Sequence, residues 1–148
     1  MMDLRELYQE IIIDHNKNPR NHHVMADATS QANGFNPLCG DKLTVYVQVN
    51  QGMIQDISFV GCGCAISQAS GSLMTDALKG KSVAEAHDIF EHFHHMLTSD
   101  ETTPSISIDK LTVLAGVRTF PARVKCATLA WHTVEAALKK EPITVTTE

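Results

Sequence analysis

From Leu43 to Val49 the chain alternates apolar Leu43, Val45, Val47 and Val49 with Thr44, Tyr46 and Gln48, the period of a strand with one buried face. Asn50-Gln51-Gly52 follows and fits a three-residue hairpin loop with Gly52 at the left-handed position, and Ile54 to Val60 supplies the return strand. Closing the loop between Val49 and Met53 pairs Val47 with Gln55, Val45 with Ile57 and Leu43 with Phe59, which collects most of the large apolar side chains on one face. A slip of one residue would set Val45 against Ser58 and Val47 against Asp56. Carried outward, the same register sets Asp41 opposite Gly61 and Cys39 opposite Gly63. Cys39 and Asp41 are thereby expected beside Cys62 and Cys64, at the open end of the hairpin.

Helical patterns surround this hairpin. Asp3 can cap a helix carrying Leu4, Leu7, Tyr8, Ile11 and Ile12 on one face and ending at Asn18-Pro19. Residues 20 to 35 are polar and read as a connection, with a short strand near Ala32 to Phe35. After Cys64 the helical period returns through Ile66, Ala69, Ser70, Leu73, Met74, Ala77 and Leu78, with Gly80 as the stop. Ser82 and Glu85 form a capping-box pattern opening a helix with Val83, Ala86, Phe90, Phe93 and Leu97 inward. Thr98 to Ser107 reads as a polar loop, and Asp109 can cap a short helix through Leu111 and Leu114 that Gly116 ends. The last helix opens at Phe120-Pro121 and runs through Val124, Ala127, Trp131, Val134 and Leu138 until Pro142 releases the tail. The expected architecture is a single α+β domain over residues 1–148: a small, mainly antiparallel sheet of about three strands with helices packed on it.

At 148 residues and 43% hydrophobic, the chain has material for one real core. A net charge of −5 argues against a nucleic-acid or anionic-membrane surface, because such binders normally carry a basic stripe. The N-terminus lacks a signal pattern, and no apolar run approaches the roughly 20 residues of a membrane span, so a cytoplasmic protein is expected. In a reducing compartment four cysteines are better explained by metal binding or thiol chemistry than by two disulfides.

Cys39, Asp41, Cys64 and Cys126 can supply three thiolates and a carboxylate, a set compatible with tetrahedral zinc. Cys64 precedes one helix and Cys126 opens another, so both sulfurs would lie near helix N-terminal dipoles that favour negative charge. Arg118, Arg123 and Lys125 add positive charge nearby. The alternative is that these cysteines are ordinary small hydrophobes of the core; the hairpin register favours a site. Cys62 can be a ligand, since alternate residues of an extended segment point the same way, or a spare resolving thiol, or inert; the spare reading is preferred. His87, His92, His94 and His95 read as a solvated helix face, His22 and His23 as loop surface, His132 as structural and Trp131 as core.

Asn36-Pro37-Leu38-Cys39-Gly40-Asp41, Gly63-Cys64-Ala65-Ile66-Ser67 with Ala69-Ser70 and Met74, and Phe120 to Trp131 with Cys126 together resemble the NifU/IscU iron–sulfur family, most closely its SufU branch. The IscU type carries a histidine immediately before its last cysteine and a leucine-proline-proline-valine-lysine stretch. This chain has Lys125 at the former position and Phe120-Pro121-Ala122-Arg123-Val124-Lys125 for the latter, together with a long segment between Cys64 and Cys126 similar to the SufU insertion. The second cysteine matches at both Cys62, as in the IscU type, and Cys64, as in the SufU type.

The resemblance implies a zinc-dependent sulfurtransferase that accepts persulfide sulfur from a SufS-type cysteine desulfurase and serves downstream iron–sulfur assembly proteins. It implies Cys39, Asp41, Cys64 and Cys126 as zinc ligands, Cys62 as the alternative at the second position, Cys39 as the sulfur acceptor and Arg123 as a desulfurase contact. The rival expectations are a scaffold that builds a [2Fe-2S] cluster on the same cysteines, and a module in which zinc only stabilises the fold for partner binding.

Overall fold

The computed structural model describes residues 4–37, 40–98, 121–139 and 145–146. In chain order the elements are α1 (Leu4–Lys17), β1 (Ser30–Asn36), β2 (Asp41–Asn50), β3 (Met53–Cys62), α2 (Ala65–Leu78), α3 (Val83–Thr98), α4 (Pro121–Leu138) and β4 (Val145–Thr146). The sheet order is β3-β2-β1-β4, antiparallel except for the two-residue β4, which pairs parallel to β1. The architecture is α+β, with three antiparallel strands as its body. The loop expected at Thr98 to Ser107, apart from Thr98 itself, and the short helix expected from Asp109 to Gly116 lie outside the described residues.

The hairpin forms with a register two residues away from the expected one. A two-residue turn, Gln51 at φ 53° and Gly52 at φ 76°, joins Asn50 to Met53 and puts Val49 opposite Ile54. Turns with positive φ at both central residues match the right-handed twist of the flanking strands, so the short turn prevails over the three-residue loop. On its own that turn would give the rest of the hairpin the wrong parity. A bulge beside Gln48/Val49 restores it, pairing Val47 with Ile57, Val45 with Phe59 and Leu43 with Gly61. The expected pairs Val47–Gln55, Val45–Ile57 and Leu43–Phe59 are therefore corrected. Two fully buried apolar pairs result, and beyond the bulge, where the shift is even, Ile57 and Phe59 stay on their expected face, whereas on the turn side of it Ile54 enters the core opposite Val49 and Gln55 is exposed. Cys62 now faces Lys42, which moves Asp41 from Gly61 towards Gly63 and Cys64.

The core lies between one face of the sheet and helices α2 and α4. Val45, Val47, Ile57 and Phe59 meet Leu73, Met74 and Leu78 of α2 and Leu129, Trp131 and Val134 of α4. Trp131 stacks on Phe93 of α3 at 4.5 Å between ring centroids, and its indole N–H donates to Ser70 Oγ at 3.2 Å. Ser70 Oγ in turn donates to the Ala127 carbonyl at 2.5 Å, which fixes α2 against the first half of α4. The α3 capping box closes in both directions: Glu85 N–H to Ser82 Oγ at 3.0 Å, and Ser82 N–H to Glu85 Oε1 at 3.2 Å. On the other side of α2, His15 of α1 is buried with Nδ1 at 2.7 Å from Ser72 Oγ, a contact that the amphipathic pattern of α1 does not announce. The chain after Pro142 returns to the sheet as β4, where a released tail is expected from sequence. Among the described residues no helix is long and apolar enough to cross a membrane.

Candidate metal centre

β1 and β2 are themselves joined by the Asn36–Asp41 turn. Asn36 pairs with Asp41 across the sheet, and Gly40 N–H donates to the Asn36 carbonyl at 2.8 Å. The turn thus fixes Asp41 as the first residue of β2, with its carboxylate wholly buried. Opposite it, β3 ends at Cys62 and the chain breaks into α2 with Cys64 as the N-cap residue. Cys64 N–H donates to Asp41 Oδ1 at 2.8 Å, and Cys64 Sγ accepts from Ser67 N–H at 3.4 Å. Gly63 allows this close approach, because a Cβ at that position would lie 2.5 Å from Asp41 Oδ1. Cys126, in the second turn of α4, comes in from the third side and is 2% exposed.

One carboxylate oxygen of Asp41 and the sulfurs of Cys64 and Cys126 lie within 4.8 Å of one another. Asp41 Oδ2 is 3.9 Å from Cys64 Sγ. Around a tetrahedral zinc, with Zn–S about 2.3 Å and Zn–O about 2.0 Å, donor atoms stand roughly 3.5–3.8 Å apart, so the three need only a small contraction. The charge balance agrees with the geometry. Asp41 is 0% exposed and, among the described residues, forms no ion pair; a buried carboxylate beside two thiols calls for a cation. Its Oδ1 is held by a backbone N–H, which leaves Oδ2 to ligate. The residues present fit zinc.

Asn36 is the member of this site that sequence reasoning missed. It is completely buried, and its Nδ2 lies 3.5 Å from Asp41 Oδ2 and 3.6 Å from Cys126 Sγ, so one amide aims at two ligand atoms from different elements. In sequence an asparagine before proline reads as a turn former. Only the Asn36–Asp41 strand pairing reveals that it faces inward.

Cys62 does not join the cluster. It ends β3 exposed, across from Lys42. The same-side expectation for Cys62 and Cys64 assumed one continuous extended segment, and the entry into α2 ends that periodicity between them. Cys39 and Arg118 lie outside the described residues. Arg123 is exposed in the first turn of α4, one turn before Cys126.

The histidines gather elsewhere. His87 Nδ1 is 3.1 Å from Glu135 Oε2, and its Nε2 is 3.6 Å from Glu91 Oε1. His94 stacks on Phe90 and meets His132 edge-on at 5.6 Å, where burial and then the His94 charge hold the His132 pKa below its ordinary value, against the opposing pull of Glu135. His22 is exposed with its ring edge-on to Phe59 at 4.9 Å. Among the described residues, no group of three or more potential ligands other than Asp41, Cys64 and Cys126 comes together.

Comparison with known proteins bears on this geometry. Residues 7–143 match the NifU-like N terminal domain family. The chain is 40% identical over 139 residues to the zinc-dependent sulfurtransferase SufU of Bacillus subtilis, covering 94% of each protein. It is also 40% identical to the iron–sulfur cluster assembly scaffold protein IscU of Streptococcus pyogenes, over 93% of this chain and 86% of that one. Among solved structures it superimposes with a TM-score of 0.77 and 33% identity on a putative iron–sulfur cluster assembly scaffold protein for the SUF system from Fervidobacterium islandicum, covering 89% of this chain and 96% of that one. On this evidence the chain belongs to the NifU-like N-terminal domain family, as a SufU-type member.

Proposed function

We propose that the protein is a zinc-dependent sulfurtransferase of the cytoplasm that accepts persulfide sulfur from a SufS-type cysteine desulfurase and passes it towards iron–sulfur cluster assembly. The observation that carries this reading is the convergence of Asp41, Cys64 and Cys126, with Cys39 two residues before Asp41 in the sequence. The zinc-dependent relative of the same length supports it.

Zinc, when bound, would keep the cysteines in their thiolate form and shield them from oxidation. Asp41, Cys64 and Cys126 are the holding residues: each is fixed by a strand start, a helix cap or a helix interior. Cys39 is assigned as the fourth donor and the acceptor, the role the family resemblance implies for it. Its thiolate attacks the terminal sulfur of the desulfurase persulfide. The desulfurase S–S bond breaks, its cysteine leaves as a thiolate with the electron pair, and the new S–S bond leaves Cys39 as a persulfide that keeps the proton of the transferred sulfur. The transfer involves no net oxidation. Arg123, exposed one turn before Cys126, is assigned to docking the desulfurase.

A scaffold that assembles a [2Fe-2S] cluster on the same thiolates is the second reading, favoured by the 40% identity to a scaffold IscU. Persulfide trapping and mass spectrometry after desulfurase turnover, with metal content measured on the same sample, separate the readings. Sulfur transfer predicts a colourless protein with one zinc, a persulfide at Cys39 and loss of desulfurase stimulation in Cys39→Ala. Iron-cluster absorbance at high occupancy selects the scaffold, and unchanged stimulation in Cys39→Ala sinks the relay. Unfolding on zinc loss without any modification at Cys39 selects the purely structural role.

A further inference from the structure

Among the described residues two buried side-chain oxygens have no hydrogen-bond partner, Ser67 Oγ and Ser58 Oγ. Such groups are uncommon, since an unpaired buried hydroxyl costs stability. Ser58 is on β3 opposite Tyr46. Ser67 lies at the metal centre.

Ser67 is the third residue of α2 and 1% exposed, and its backbone N–H is 3.4 Å from Cys64 Sγ. One turn further along the same helix, Ser70 bonds the Ala127 carbonyl, next to Cys126, so the Ser67 hydroxyl lies on the side of α2 that faces α4 at the level of the two cysteines. The local outlets for such a hydroxyl are not used. In the capping box of α3 the third residue reaches back to the cap N–H, but at α2 that N–H is taken by Asp41 Oδ1. Thr128 and Thr133 of α4 satisfy themselves on carbonyls one turn back, Val124 O at 3.0 Å and Leu129 O at 2.7 Å, whereas Ser67 makes no such bond. A buried donor is thus left without a partner on the cysteine side of α2: neither sulfur stands where it accepts from Ser67 Oγ, although Cys64 Sγ accepts from the Ser67 N–H.

We propose that Ser67 is a positioning residue of the metal centre: its hydroxyl donates a hydrogen bond to a ligand thiolate, Cys64 or Cys126, once a cation is bound. This rests on the zinc reading above and adds to it a second hydrogen-bond donor besides Asn36. A thiolate is a better acceptor than a thiol, so the bond forms with ligation and favours the loaded state. The unpaired hydroxyl is then a cost borne by the metal-free protein and relieved by binding.

The test uses the full chain in three forms: wild type, Ser67→Ala and Ser58→Ala. Zinc affinity is measured by competition with a chromophoric chelator, and the sulfur-to-metal charge-transfer band is recorded after loading cobalt(II). Ser67→Ala is expected to bind zinc about 10-fold more weakly. Its cobalt band should move to longer wavelength, because a sulfur lone pair relieved of a hydrogen bond gives up its electron more easily. Ser58→Ala should match wild type in both. An unchanged affinity or an unshifted band in Ser67→Ala overturns the inference, as does an equal change in Ser58→Ala. Failure of the wild-type chain to take up either metal overturns the zinc reading together with this one, so the two failures are told apart by the wild type alone.

Discussion

The chain holds two concentrations of metal-ligating side chains, and they behave in opposite ways. Helices α3 and α4 carry His87, His92, His94, His95 and His132 at short spacing, and the structure turns this density into ring contacts and carboxylate pairs at the surface. Asp41, Cys64 and Cys126 are far apart in sequence, on a strand, a helix cap and a helix, yet their ligand atoms meet within 4.8 Å, Asp41 and Cys126 buried and Cys64 half-buried. The contrast lies in what fixes the side chains. A ligand sphere requires donors arriving from several directions, and one helix presents its residues in one. Burial then keeps water from competing, and outer-shell groups such as Asn36 and the Cys64 N–H hold each donor in orientation.

Removing a donor from each concentration should separate them most sharply. Cys126→Ala is expected to lower zinc affinity by more than about 100-fold, beyond the range typical of outer-shell changes. The double variant His94→Ala/His132→Ala should keep one zinc per chain at wild-type affinity. Chelator competition followed by metal analysis decides both, and a histidine variant that loses zinc would reverse the comparison.

A smaller effect should come from the backbone that brings the two sides of the pocket together. In Gly63→Ala the added methyl would stand 2.5 Å from Asp41 Oδ1, where either the carboxylate or the β3–α2 junction must move. We expect a loss of about 1–3 kcal/mol in urea unfolding of the metal-free protein, the usual range for forcing an extra methyl into a packed site, together with weaker zinc binding. Wild-type stability in this variant would mean that the junction is looser than the hydrogen bond from Cys64 to Asp41 implies.

How much of this could be read in advance depends on whether the determining interaction is local. The capping box of α3 is written in Ser82 and Glu85, three residues apart, and both of its hydrogen bonds form. The core face of Leu43, Val45, Val47, Ile57 and Phe59 is written in the alternation, while that of Ile54, across the bulge, is not. The register is not, because it follows from a left-handed Gln51 and a bulge that only the balance of the whole sheet selects. The same limit applies to the site: the donor types were visible, but the inward amide of Asn36 and the divergence of Cys62 from Cys64 depend on pairings between elements. β4 has the weakest local signal of all, two residues that become a strand only because the edge of β1 is available.

The histidine-rich side offers the smallest expected effect, and it is one of pH. His132 is half-buried against Phe90 and His94, and its pKa is lowered first by burial and then by the His94 charge, with Glu135 pulling the other way. His87 pairs with Glu135 of α4 and with Glu91 on its own helix. The unfolded chain takes up the proton near the ordinary histidine value of 6.5, the folded chain only at lower pH. Between these values the unfolded state holds more protons, so stability rises with pH across the window. The contribution is complete above the unfolded value and is lost as the pH falls towards the folded one. His132→Phe keeps an aromatic ring in the contact and removes the titration, so its unfolding free energy should fall less than that of wild type between about pH 7.5 and about pH 5. Both proteins are compared after metal removal, because acid also releases metal from thiolates and would otherwise add the other site's pH dependence to this one. Equal slopes would show that the proton reaches the folded ring without hindrance, leaving the histidine side distinguished from the cysteine side by position alone.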